Sequence, residues 1–201
     1  MVNTPLAHDL LWGMTPAHVP ADAPAWVLEA LGAGHPVVVR RAIAEPGYVA
    51  VGVRGRLREQ RFAARMPLAA VQRRVIPEAL RGVISPRDLP ALRTLDQLRP
   101  VLAQETWGVT GSAGFELASG IEALHAESDL DLMLRTPEPL ARGEAEDLLA
   151  MLDRAECAVD LQLQTPFGAV ALREWASGSR RVLLKTASGA HLVLDPWQAV
   201  A

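Results

Sequence analysis

Lysine is almost missing from this chain: Lys185 is the single lysine among 20 basic residues, and the others are arginine. Codon usage in a GC-rich genome accounts for that imbalance, and no function is drawn from it. Cysteine is equally scarce, since Cys157 stands alone and has no partner for an internal disulfide. The five histidines are scattered, with none at the spacing of a zinc site. No uninterrupted apolar run approaches the roughly 20 residues that a membrane helix needs. No charged-then-apolar leader with a small-residue cleavage site is visible either, so the expectation is a soluble, cytosolic protein that does not enter membranes. A positive excess is lacking as well. With a formal net charge of −3, the composition argues against a general nucleic-acid binder, which normally carries a clear surplus of Lys and Arg.

What is present is apolar substance: half of the 201 residues are hydrophobic, enough for a core and too much for disorder. That length suits one large domain or two small ones. The stretch from Pro77 to Pro90, broken by Gly82 and Pro86, reads as the connection, and it divides the chain into a module over 1–85 and a domain over 86–201. In the first module His8 to Trp12 reads as a terminal strand. A short helix is expected from Ala25 to Leu31, entered from Pro24 and stopped by Gly32 and Gly34. Val37–Val39 and Tyr48–Val53 are β-branched runs bounded by Pro and Gly, hence strands. In the second domain leucines repeat at three to four residues from Ala91 to Leu102, and again within Glu138 to Arg154, giving two amphipathic helices.

The chemistry is concentrated between Trp107 and Arg135. Ser128-Asp129-Leu130-Asp131-Leu132-Met133-Leu134 alternates in the manner of a strand. Asp129 and Asp131 therefore share one face, while Leu130, Leu132 and Leu134 face a core. Their α-carbons stand roughly 6–7 Å apart. Two carboxylates at that separation repel unless something positive lies between them. Magnesium answers that need, since it takes one or two carboxylates together with substrate phosphates and water. Ahead of the pair lies Gly111-Ser112-Ala113-Gly114-Phe115. If Ser112 to Ala118 is helical, the free N–H groups of Gly111, Ser112 and Ala113 form an anion site. The missing side chain at Gly111 lets a phosphate come close. A later strand, Ala158 to Leu163, sets Asp160 and Gln162 on its polar face, which makes Asp160 a third carboxylate, either metal ligand or general base.

Two groups of basic residues accompany this centre. Arg40, Arg41, Arg54, Arg56, Arg58 and Arg61 gather around the ends of the first module's strands. Such forks bind phosphate bidentately, so Arg40, Arg41, Arg54 and Arg58 are candidate contacts for a polyanionic substrate or an acidic partner. The alternative is an ordinary solvated face paired with Glu45 and Glu59. Lys185 follows three apolar residues in the strand Arg181 to Thr186. Its stem is expected to be covered and its ammonium to need an anion, which is a phosphate, Asp195 or Glu174.

Gly-Ser followed by Asp-hydrophobic-Asp-hydrophobic resembles the nucleotidyltransferase superfamily, although 17 residues separate Ser112 from Asp129, more than its compact pattern. HDLLW, PVVVRRA, GSAGFELASG with SDLDLML, and VDLQLQTPFGAVALREWASGSRRVLLKTASG with DPW are together similar to the phosphoribosyl-dephospho-CoA transferases of malonate decarboxylase, the holo-acyl-carrier-protein synthases. That resemblance spans nearly the whole chain. It implies an α+β protein, with a small N-terminal α/β module followed by a polymerase-beta-like domain whose mixed sheet is flanked by helices. It also places a third carboxylate at Asp160. The implied donor is 2′-(5″-triphosphoribosyl)-3′-dephospho-CoA, the implied acceptor a serine of the acyl carrier protein subunit, and the leaving group pyrophosphate. Two rivals share these residues: an adenylyl or uridylyl transferase with another acceptor, and a nucleotide-binding module that has lost catalysis.

Overall fold

The computed structural model describes residues 4–57 and 59–199. Arg58, one of the expected contact arginines, lies outside the described residues. The chain is α+β and divides into two compact units, Met1–Ile76 and Pro77–Ala201.

Among the described residues the first unit is a five-stranded antiparallel sheet carrying one α-helix. Its strands are β1 (Leu10–Trp12), β2 (Val37–Val39), β3 (Tyr48–Arg54), β4 (Arg61–Pro67) and β5 (Arg73–Val75), in the order β4-β3-β2-β1-β5. The helix α1 (Ala25–Gly32) lies between β1 and β2 in sequence and buries Val27, Ala30 and Leu31. These three recur at the i, i+3, i+4 spacing of one helix face. They join Leu11, Val37, Val39, Val49, Val51, Val53 and Met66 in a single core. Full burial of one such side chain contributes about 1.5–3 kcal/mol.

Neither β4 nor β5 was expected from the sequence. In β4, Phe62, Ala64 and Met66 lie opposite Val53, Val51 and Val49, while Arg61 and Arg65 alternate onto the other face. An apolar and charged alternation of this kind is a strand signal, masked by the density of arginine. Asp9 is fully buried and is held by Arg74 Nη2 at 2.7 Å. Its Oδ2 also accepts the Leu6 N–H at 2.7 Å.

The second unit is a six-stranded mixed sheet with four helices. Its elements run α2 (Pro90–Val101), β6 (Trp107–Val109), α3 (Gly111–Ser119), β7 (Leu130–Arg135), α4 (Arg142–Leu152), β8 (Val159–Gln164), β9 (Ala169–Ala171), α5 (Leu172–Ala176), β10 (Val182–Lys185) and β11 (Ala190–Val193). The strand order is β11-β10-β9-β8-β7-β6. Only β7 and β8 pair in parallel among the described residues. That pairing requires a crossover connection, and α4 supplies it. Leu130, Leu132 and Leu134 of β7 and Val159, Leu161 and Leu163 of β8 are buried, leaving the aspartates of both strands to the opposite face.

The boundary between the units falls nine residues before the expected 85/86. Residues 77–85 group with the second unit for a local reason. The 3-10 turn Pro77–Leu80 packs so closely on β6 that a side chain at Gly108 would overlap Pro77, and Glu78 pairs with Arg135 of β7.

Removing the Asp9 carboxylate would take the ion-pair partner from the half-buried Arg74 and the acceptor from the Leu6 N–H. Asp9→Ala is expected to lower stability by about 3 kcal/mol, read as a shift in the urea midpoint at unchanged slope. A loss below about 1 kcal/mol would show that Arg74 and water restore the balance.

Candidate active site

Gly111 opens α3 in the left-handed region, at φ 59°, a conformation that costs an L residue with a side chain about 1–2 kcal/mol. A Cβ at this position would overlap Asp131 Oδ2. The Asp131 carboxylate thus rests against the first residue of the helix, where N–H groups without intrahelical partners favour negative charge. The backbone repeats the join, since Thr110 donates its N–H to the Asp131 carbonyl at 2.9 Å. Three residues along, Gly114 meets β6 so closely that an added Cβ would lie 2.6 Å from the Val109 carbonyl oxygen. The small residues of the Gly-Ser stretch are therefore explained by close approach, and Ser112 stands in the first turn of α3.

Asp131 and Asp160 are partners in the β7–β8 register. In a parallel pair such residues share a face at about 4.8 Å between α-carbons. Asp129 lies one residue before β7 rather than inside it, and it is half-buried. Asp129 and Asp160 line a cleft of about 270 Å³ floored by Leu149, Leu152, Val159 and Leu172. Among the described residues that line it, Arg173 is the one cation. Among the described residues no group of three or more His, Cys, Asp or Glu side chains is arranged to hold a metal ion. The donor set fits a hard cation that takes two carboxylates and completes its shell with phosphate and water, not a closed three-carboxylate cage.

A second carboxylate was missed in the sequence. Glu116 of α3 is buried and accepts both terminal contacts of Arg87 Nη1, at 2.8 Å each. Glu116 Oε2 also accepts the N–H groups of Ala123 at 2.7 Å and Leu124 at 2.9 Å. It thereby fixes the loop that carries the chain from α3 to Asp129. The loop ends in a turn in which Ser128 Oγ accepts the His125 N–H at 3.0 Å. A charged residue within an otherwise apolar helix segment, GFELA, was the available signal.

Lys185 is not brought to this group. Its register partners are Ala169 and Ala190, and Ala169 lies opposite Gln164, four residues beyond Asp160. That places it about 13 Å along the strands and about 14 Å across the sheet from Asp131. It is exposed, contrary to the covered stem expected. The proposed carboxylate partners are engaged elsewhere: Glu174 accepts the Leu183 N–H at 2.7 Å and Asp195 accepts the Trp197 N–H at 2.8 Å.

In the first unit Arg54 and Arg61 are cross-strand partners, and Arg65 lies on the same face of the β3–β4 pair. The Arg40 side chain passes over Gly52 on that face, its Cδ 3.6 Å from where a Cβ would be. Arg65 pairs with Glu45 at 2.5 Å, and Arg73 stacks over the Trp12 ring at 4.3 Å. Arg41 follows β2 and is half-buried. The face opposite the core is thus rich in arginine.

Gly111→Ala combines left-handed strain with overlap on Asp131. The variant is expected to lose at least about 1–2 kcal/mol in urea denaturation; wild-type stability would show that the Asp131 carboxylate does not lie where described.

The chain matches the family profiles described as phosphoribosyl-dephospho-CoA transferase MdcG N-terminal domain over residues 6–77 and C-terminal domain over residues 79–196. A phosphoribosyl-dephospho-CoA transferase of Pseudomonas fluorescens is 65% identical over 199 residues, covering 98% of this chain and 97% of the relative. The protein of that name from Pseudomonas aeruginosa is 59% identical, over 96% of this chain and 94% of its own length. One from Azotobacter vinelandii is 55% identical, over 98% and 96% respectively. No solved structure matches the chain. Two profiles in the expected order and relatives of such identity along almost the full length lead to one conclusion: the chain belongs to the phosphoribosyl-dephospho-CoA transferase family and is a transferase enzyme.

Proposed function

We propose that this protein attaches the 2′-(5″-triphosphoribosyl)-3′-dephospho-CoA group to a serine of the acyl carrier protein subunit of malonate decarboxylase, as its holo-acyl-carrier-protein synthase. The observation that carries this reading is the in-register pair Asp131 and Asp160 beside the glycine-opened start of α3. The names of the relatives supply the donor class. Since the proposed donor is a derivative of CoA, the proposed place of action is the cytoplasm. Among the described residues no helix is long and apolar enough to cross a membrane.

In this reading the serine oxygen attacks the α-phosphorus of the donor. The new O–P bond forms as the bond to the pyrophosphate breaks, leaving a phosphodiester on the carrier. Asp129 and Asp131 would hold Mg2+, and the second of them packs against Gly111. When bound, the metal neutralises phosphate charge and stabilises the oxygens of an in-line displacement. Asp160, exposed beside Asp131, either completes the metal set or takes the serine proton. The N–H groups of Gly111, Ser112 and Ala113 donate to the leaving phosphates. No covalent enzyme intermediate is required.

The arginine face, with Arg40 and Arg54 among its members, is the proposed docking surface for the carrier, and Arg41, next to Arg40 in the chain, is proposed to add to it. Acyl carrier proteins are acidic, and a basic face steers an acidic partner by long-range attraction.

The deciding assay is the intact mass of the carrier subunit after incubation with enzyme, Mg2+ and the triphosphoribosyl donor, with ATP and UTP in parallel. A mass gain with the triphosphoribosyl donor alone, matched by pyrophosphate release, is expected. A gain with ATP or UTP instead would move the protein to a different acceptor chemistry, and no gain with any donor would favour a binding module. Asp131→Asn is expected to abolish the gain while leaving circular dichroism and thermal midpoint near wild type; full transfer in that variant would sink the metal assignment. Arg40→Ala combined with Arg54→Ala should weaken carrier binding by roughly tenfold at low salt and much less at high salt. Equal loss at both ionic strengths would count against docking by charge.

A further inference from the structure

The donor in this reading is a polyanion, yet two of the residues proposed to receive it, Asp129 and Asp160, are carboxylates that line one cleft. A metal ion offsets part of that repulsion, and phosphoryl-transfer sites commonly add a guanidinium or ammonium on the other side of the phosphate. Lys185 lies too far along the sheet for this. Arg173, the second residue of α5, is the cation that lines the cleft.

Its setting suits anion binding better than that of an ordinary surface arginine. The side chain is 63% exposed, so its guanidinium is open to a ligand. Asp153 holds it, with Nη2 donating to Oδ1 at 2.6 Å and Nη1 to Oδ2 at 3.4 Å. That tether takes two of the five donors of the fork and leaves the others. It also restrains a long side chain before any ligand arrives, so less rotamer freedom is lost on binding. The neighbouring charges act together: the hydrogen bond to Asp153 raises the Arg173 pKa most, and the Asp160 carboxylate adds to the effect. Asp160 and Arg173 line the same cleft.

Resting on the donor assignment above, we infer that Arg173 is a phosphate-binding residue of the donor site, positioned by Asp153 on the rim of the cleft that Asp129 and Asp160 line. It supplies the cationic contact expected of Lys185. A phosphoryl group there would be met by the Arg173 fork, while Asp129 and Asp160 would be available to a metal that offsets its remaining charge. The guanidinium keeps its charge throughout the working pH range, so the contact is made before chemistry and during it.

The test uses the full-length enzyme. Donor binding is measured by calorimetry in EDTA and again with Mg2+, for wild type, Arg173→Ala, Arg173→Lys and Lys185→Ala; transfer kinetics are measured with Mg2+. Arg173→Ala is expected to raise the donor Kd roughly tenfold or more in both media. Its donor KM should rise while the carrier KM stays fixed. Arg173→Lys should recover part of the affinity, since it restores the charge without the fork, and Lys185→Ala should bind as wild type. Asp153→Asn, which loosens the tether and keeps the arginine, should show a smaller loss of roughly two- to threefold. Wild-type donor affinity of Arg173→Ala in EDTA would overturn the inference, as would a loss shared equally by Lys185→Ala. A wild-type enzyme that neither binds nor transfers the donor would overturn the donor assignment itself, and that outcome is recognised because it appears before any substitution is made.

Discussion

One parallel pairing in an otherwise antiparallel sheet places the site. Strands β7 and β8 run side by side in the same direction, so the chain must cross over through α4 before it returns. The register of that return sets Asp131 against Asp160. A slip by one residue would turn Asp160 into the core and bring Leu161 to the polar face. The leucines and valines on the reverse of both strands forbid the slip, because it would expose an apolar row and bury carboxylates. The geometry of the acidic pair is therefore a by-product of core packing on the opposite side of the sheet.

The pairing alone would leave Asp129 at the end of a free loop. Glu116 prevents this. Its buried carboxylate takes the Arg87 guanidinium and two backbone N–H groups of the loop, so its acceptor capacity is filled and its burial is tolerable. At the other end of α3 the Asp131 carboxylate occupies the space of a side chain at Gly111. The helix that offers N–H groups and the strand that offers carboxylates are thus locked at two points. The carboxylates and the helix start of the proposed site can thus hold their places without a ligand, which is the preorganisation that the proposed chemistry would require.

The first unit reaches its arginine face by the same economy of alternation. Along β3 and β4 every second residue enters the core, and the residues between are free to be charged without loss of packing. The buried Asp9 and Arg74 pair is the exception on the core side, where a single lost partner would leave a charge in a dry place. A sheet built this way can offer cations on one face at little cost to its stability.

Local periodicity decided much of this protein in the sequence itself. The range Val37–Val39 and the helices near Ala25 and Ala91 emerge as expected, because repeats of 2 and 3.6 are written residue by residue. The alternation over 130–134 falls on β7, with Asp129 one residue before it, and a helix does follow Gly111. Arginine concealed β4 and β5: in β4 the apolar Phe62, Ala64 and Met66 alternate with a face that carries Arg61 and Arg65, and β5 opens on the adjacent Arg73 and Arg74. The fold alone decided the rest: the pairing of Asp131 with Asp160, the remoteness of Lys185, the arrival of Arg173 at the cleft, and the attachment of residues 77–80 to β6. Each of these joins segments distant in the chain, and such contacts depend on strand register and crossover, which no local pattern of residues encodes.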